Sequence, residues 1–168
     1  MKNSRTFNIT AHGDREIVVT RDFNAPRRLV FDAYTKPELV QKWLLGPDGW
    51  SMPVCEIDLK AGGKYRYVWR NDSNGHEMGM GGVYREVAPP DRIVATEVFD
   101  EAWYPGEAVD TIVLSEENGK TTLTQTILYN SRETRDAVLK SPMQKGMAMS
   151  YDKLERFLSS REREALSA

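Results

Sequence analysis

Residues Ser141–Leu158 read SPMQKGMAMSYDKLERFL. Wound into a helix, Met143, Met147, Ser150, Tyr151, Leu154, Phe157 and Leu158 fall on one face, with Lys145, Asp152, Arg156 and Ser159 on the other. Ser141-Pro142 suits the start of such a helix: a hydroxyl to cap free N–H groups, then a residue whose fixed φ fits the first turn. Burying the six apolar side chains of this stripe contributes on the order of 10 kcal/mol before entropy is subtracted. The stripe therefore needs a cover, and the chain before it is rich in strands.

Working back towards the N-terminus, strand signals dominate. Glu16–Phe23 alternates, with Ile17, Val19 and Phe23 on one side, Glu16, Thr20 and Asp22 on the other, and Arg21 as an exception on the apolar side. Two short helices follow, from Pro26 to Tyr34 and from Glu38 to Trp43, and then a loop, Leu45–Pro53, that carries Leu45, Trp50 and Met52. Strands are expected at Val54–Leu59, Lys64–Arg70, Glu77–Val87, Arg92–Phe99, Val109–Glu116 and Thr121–Tyr129. The Asn118-Gly119 pair suits a tight hairpin turn. A short helix capped by Asn130 or Ser131 leads into the long one. Short turns make the sheet largely antiparallel, and a twisted sheet of six to seven strands curls. The expected architecture is α+β, a curved antiparallel sheet wrapped on a long C-terminal helix. One domain is expected over residues 15–160, between a loose leader (1–14) and a frayed tail (161–168).

Composition narrows the function classes. The chain has 168 residues, 40% hydrophobic and 29% charged, with a net charge of −2. Acidic and basic residues are interspersed and no basic stripe forms, which argues against nucleic acid as a partner. No apolar run approaches the ~20 residues of a membrane span, and the N-terminus carries no apolar secretion signal. A single cysteine, Cys55, cannot form an internal disulfide, and with these features it points to a cytoplasmic protein.

Several blocks, FNAPRRLVFDAYTKPELVQKWLLGPDGW, KAGGKYRYVWR, GVYREVAPPDRIVATEVF and SPMQKGMAMSYDKLERFL, occur in an order that resembles the bacterial homologues of the activator of the heat-shock-protein-ninety ATPase. That family lies in the START-like (SRPBCC) superfamily, and the likeness spans roughly residues 15–160. It implies a helix-grip fold with a cavity between sheet and helix. It also raises chaperone contact and a stress-response role, although the superfamily spans carriers, cyclases and co-chaperones. Eukaryotic co-chaperones of the family carry a further N-terminal domain that makes the main chaperone contact; with about fourteen residues before the first strand, that domain is expected to be absent here.

The residues themselves point to a ligand cavity. Tyr65, Tyr67 and Trp69 share one face of their strand, and Met78, Met80 and Tyr84 share a face of the next. With Trp50, Phe99, Trp103, Met143, Met147 and Tyr151, the residues Tyr67, Trp69, Met78, Met80 and Tyr84 make the expected lining. Methionine adapts to varied apolar ligands, while tyrosine and tryptophan add polar handles. The expected loop gates are Gly46–Met52 and Asp100–Gly106. No nucleophile motif, phosphate-binding glycine loop, cofactor signature or metal-ligand spacing is present. Among Glu56, Asp58, Glu86, Glu97 and Asp110, a pair meeting inside the cavity would support acid–base chemistry. The leading expectation is a domain binding a small apolar or amphipathic molecule, with no cofactor, as monomer or homodimer. A chaperone-contact domain and an enzyme acting on a hydrophobic substrate are the alternatives.

Overall fold

The computed structural model describes residues 6–101 and 104–167, with 162–167 described by their backbone alone. Along these residues run β1 (Asn8–His12), β2 (Glu16–Phe23), α1 (Arg27–Thr35), α2 (Pro37–Trp43), β3 (Trp50–Ile57) and β4 (Lys64–Asn71). There follow β5 (Glu77–Ala88), β6 (Arg92–Phe99), β7 (Ala108–Glu117), β8 (Lys120–Leu128), α3 (Arg132–Lys140) and α4 (Met143–Ser167). The strands form one antiparallel sheet in the order β1-β2-β8-β7-β6-β5-β4-β3. β2, early in the chain, thus lies beside β8, the last strand, and α1 and α2 carry the chain across to the far edge at β3. The ladder slips between Ser51 and Val54 on β3 and between Tyr84 and Glu86 on β5. Such bulges bend a strand and add to its twist, and they curl this half of the sheet around α4.

The alternation read in β2 is kept in three dimensions. Ile17, Val19, Arg21 and Phe23 are buried on the inner face, against Ile127, Gln125, Leu123 and Thr121 of β8. Arg21 belongs there because α4 supplies its partners: Asp152 at 3.1 Å and Glu155 at 3.9 Å, while its guanidinium lies over the Phe23 ring. Tyr151, Leu154 and Leu158 of α4 are sealed into the same core. Asn118 and Gly119 both take positive φ at the β7–β8 turn, as a two-residue hairpin connection requires.

Three boundaries differ from the sequence reading. Among the described residues the sheet has eight strands, because Asn8–His12, expected in a loose leader, pairs with β2 as an edge strand. Its polar composition hides it: only Ile9 of the strand escapes full exposure, so no apolar alternation develops. β3 begins at Trp50 within the expected loop, with Pro53 sitting at the bulge of an edge strand, where a missing N–H costs nothing. α4 continues to Ser167, past the expected end of the amphipathic stripe. Ser141 separates α3 from α4: its Oγ donates to the Val138 carbonyl (2.6 Å) and accepts the Met143 N–H (3.3 Å). Among the described residues, no helix is long and apolar enough to cross a membrane.

Candidate functional site

Register decides which side chains face the helix. Across the β4–β5 pair, Trp69 stands opposite Met78, Tyr67 opposite Met80 and Tyr65 opposite Gly82. On to β6 and β7, Met80 faces Phe99, Tyr84 faces Ala95, Ala95 faces Asp110, and Glu97 faces Ala108. Gln125 of β8 lies beside Ile112 of β7. The inner face thus has an aromatic half on β4–β5 and, across the middle of the sheet, a polar row of Glu97, Asp110 and Gln125.

The aromatic half depends on a glycine. Tyr65 lies across the bare backbone of Gly82 and donates its hydroxyl to the Thr96 carbonyl of β6 at 2.6 Å. A β-carbon at Gly82 would stand 1.9 Å from that same carbonyl oxygen, so only glycine leaves the strands this close. Thr96 compensates the local ladder with its own hydroxyl, which accepts the Val83 N–H at 2.9 Å. The Tyr65 ring then stacks obliquely on Tyr67 (5.1 Å) and Tyr84 (5.3 Å), and Tyr67 meets Trp69 edge-on (5.8 Å). Trp69 has already spent its polar handle, donating to the Leu44 carbonyl at 2.7 Å.

The polar row is organised by a relay from the helices. Tyr34 of α1 donates to the Tyr151 hydroxyl (3.0 Å), and Tyr151 donates to Gln125 Oε1 (2.6 Å). That fixes the amide so that Gln125 Nε2 donates to both oxygens of Asp110 at 3.0 Å. Glu97 has no hydrogen-bond partner among the described residues. Burial, with the neighbouring Asp110 charge, pushes Glu97 up to about 8. Burial also raises Asp110, to about 6, and the Gln125 N–H draws it back down. The pair therefore holds a proton towards neutral pH, where two free carboxyls would both have ionised. Tyr65, Tyr104 and Tyr129 are pushed up as well, first by burial and then by facing these two carboxyls.

Burial is the first cause of the rise at both Glu97 and Asp110. Both nevertheless keep solvent-accessible area. Tyr67, Tyr84 and Tyr129 are 7%, 4% and 4% exposed, and no described residue hydrogen-bonds to their phenols. Among the described residues the sealed side-chain atoms without a partner belong to Arg21 and Glu155 alone. The three phenol oxygens therefore keep some accessible area, in line with the rule that buried polar groups are rarely left without partners or water.

The expected lining residues divide accordingly. Tyr67, Met80 and Tyr84 are buried on the inner face; Trp69, Phe99, Met143 and Met147 are partly buried around it. Met78 shares the face but is 39% exposed at the start of β5. Trp50 is half-buried at the first position of edge strand β3, and Trp103 lies outside the described residues. Tyr151 is buried, and its phenol serves the relay. On α4 the packing is graded: Tyr151, Leu154 and Leu158 are closed in, while Met147 and Met143, one and two turns earlier, are not. The loop expected as a gate is tied to α4. Gly46 donates its N–H to Ser150 Oγ (2.8 Å), and Lys153 donates to the Gly46 carbonyl and to Asp48 (2.9 Å each).

A separate open depression of about 540 Å³ lies on the opposite face of the sheet, lined by Glu56, Lys64, Arg66, Val98, Asp100 and Glu107 among others. Its charges are of both signs, and Arg66 and Asp100 already satisfy each other through two bonds of 2.8 and 2.6 Å. The convergent chemistry is inside. The sequence reading missed Tyr34, Gln125, Tyr104 and Tyr129, and it left Glu97 and Asp110 unpaired. A signal was present: each of Glu97, Asp110 and Gln125 occupies the apolar phase of its strand, in Ile93-Ala95-Glu97-Phe99, Ala108-Asp110-Ile112 and Leu123-Gln125-Ile127.

A long helix held in the curve of an antiparallel sheet, above a polar inner site, defines the helix-grip class of START-like proteins. The chain belongs to the family described as "Activator of Hsp90 ATPase homolog 1-like protein", which matches residues 24–159 and lies in the START-like superfamily. Among solved structures, it is similar to a protein of Rhodobacter sphaeroides with 30% identity and a TM-score of 0.86, covering 92% of this chain and 99% of that one. A protein of Chromobacterium violaceum shows 28% identity and a TM-score of 0.76, covering 86% and 96%. One from Staphylococcus epidermidis shows 26% identity and a TM-score of 0.78, covering 92% and 94%. No curated protein matches the chain.

Proposed function

We propose that the protein is a small-molecule binding domain whose ligand lies between the first turns of α4 and the inner face of β4–β7. The observation that carries this reading is the set of deep but unsealed polar groups, Glu97, Tyr67, Tyr84 and Tyr129, that no described residue satisfies. Tyr67, Trp69, Met80, Tyr84, Phe99, Met143 and Met147 would supply the apolar walls, with Trp50, Met78 and Trp103 towards the rim and Tyr151 holding the polar row in place. A mostly apolar molecule with one polar end fits that division, as pockets with few, well-placed polar groups generally do.

Native mass spectrometry of freshly purified protein tests the reading through a co-purifying small molecule, backed by a thermal-shift screen of lipophilic compounds. A ligand at 100 times its Kd adds about 2.7 kcal/mol, or about 5–10 °C for a chain of this length. No bound mass and no shift across the screen would remove it.

A second reading draws on the carboxyl pair. Two buried carboxyls that share a proton towards neutral pH can donate and accept one between them, which supports proton-transfer chemistry on a hydrophobic substrate. Turnover abolished in Asp110→Asn, with ligand binding kept, is its signature. The chaperone-contact alternative draws on the family description alone.

A further inference from the structure

The interior carries more negative charge than its own residues balance. Among the described residues two arginines reach the core, and both are engaged elsewhere: Arg21 with Asp152 and Glu155, and Arg135 with Asp136 and the carbonyls of His12, Gly13 and Glu16. No described lysine, arginine or histidine forms an ion pair with Glu97 or Asp110. Gln125 gives Asp110 one neutral donor, and Glu97 receives none. A buried carboxylate with so little compensation is costly unless a cation joins it.

A second, independent feature points the same way. Tyr67, on the facing part of the sheet, is 7% exposed and presents a phenol without a partner among the described residues. Its ring lies 5.1 Å from that of Tyr65, which in turn lies 5.3 Å from that of Tyr84. Aromatic rings at the edge of a desolvated site attract ammonium groups by their quadrupoles. Glu97 and Asp110 occupy diagonal positions on adjacent strands, where β-carbons stand about 7–8 Å apart, and one nitrogen between such side chains can reach both.

We propose that this interior selects an amphipathic amine, a primary ammonium on an apolar body, with its nitrogen held between Glu97, Asp110 and the Tyr67 hydroxyl. This rests on the binding reading above and names its ligand class. The three N–H donors of a primary ammonium match the three acceptors, while Met80, Met143 and Met147 receive the apolar body. The Glu97 proton passes to solvent as the ammonium arrives, leaving two carboxylates around one cation. An alcohol of the same shape can use the same acceptors but leaves the Asp110 charge unbalanced, and a carboxylate adds to the excess.

The test is isothermal titration of the full chain near pH 7 in moderate salt with three probes sharing one apolar body: octylamine, 1-octanol and octanoate. Octylamine is expected to bind about tenfold or more tighter than octanol, with octanoate weakest. Glu97→Gln is expected to weaken octylamine about tenfold or more while octanol binding stays within about twofold, as loss of one partner of a buried charge contact does. Asp110→Asn should do the same; if it disturbs Gln125, Glu97→Gln alone decides, with octanol binding reporting an intact interior. Octanol binding as tightly as octylamine, or octylamine unaffected by Glu97→Gln, overturns the amine assignment and leaves the binding reading standing. If none of the three probes binds, the binding reading itself fails.

Discussion

Glu97→Gln should convert a pH-dependent protein into one that is nearly indifferent to pH between 6 and 8. Glu97 faces Asp110 of β7, Tyr65 of β4, Tyr104 ahead of β7 and Tyr129 just after β8, with no cation among them. Burial raises its carboxyl from 4.5 to about 8. The folded protein therefore keeps this proton over a range where the unfolded chain has released it. Stability from the neutral form is complete at acid pH and drains away as pH rises towards the folded value. One retained proton corresponds to about 1.4 kcal/mol per pH unit, and the full shift sets a ceiling of about 5 kcal/mol. Asp110 is raised too and adds to the slope in the same direction, so the fall belongs to the pair and the difference between wild type and Glu97→Gln reads the part Glu97 carries. For a chain of this length the expected fall in Tm is about 3–5 °C per pH unit.

Differential scanning calorimetry at constant ionic strength, in steps across that interval, reads the slope directly. Glutamine keeps the shape of the neutral acid and cannot ionise, so Glu97→Gln should match the wild type near pH 5 and exceed its Tm at pH 8.5. A wild-type Tm that is flat between pH 6 and 8, or a variant curve running parallel to it, would refute the placement of Glu97 in a buried, uncompensated site.

Five further outcomes follow from elsewhere in the fold. Gly82→Ala forces a β-carbon against the Thr96 carbonyl and should cost several kcal/mol by urea denaturation, whereas Tyr65→Phe, losing one hydrogen bond, should cost about 1 kcal/mol. Tyr151→Phe removes the donor that orients Gln125, so the cost should be about 1–3 kcal/mol, with Asp110 losing its fixed donor. Arg21→Met strands Glu155 in the core and should destabilise by about 3–5 kcal/mol, a loss that calorimetry would show as a Tm drop at neutral pH. Burial pushes the Cys55 thiol up to about 11, so alkylation by iodoacetamide at pH 8 should be far slower than for a free thiol.

Legibility varied with how local the information was. The α4 stripe from Tyr151 to Leu158 was readable because helical spacing alone puts those residues on one face, and they are buried as expected. Tyr65, Tyr67 and Trp69 were readable in the same way, from a period of two. β1 was not, because an edge strand paired on one side needs no apolar alternation, and its residues show almost none. The loop before β3 was misjudged for a related reason: Pro53 reads as a breaker, yet an edge strand with a bulge accommodates it.

The amino-acid order by itself determined the element types, the antiparallel meander and the helix that fills it, because each follows from periodicities within about twenty residues of chain. Only the tertiary structure decided that Glu97, Asp110, Gln125, Tyr151 and Tyr34 form one polar row, since they come from five elements and their meeting depends on strand register. A one-residue slip would turn every one of those strand side chains to the other face. The pattern could show that three polar residues sat in apolar phase; closure of the sheet around α4 set how deep they lie, and with that depth came their charge states.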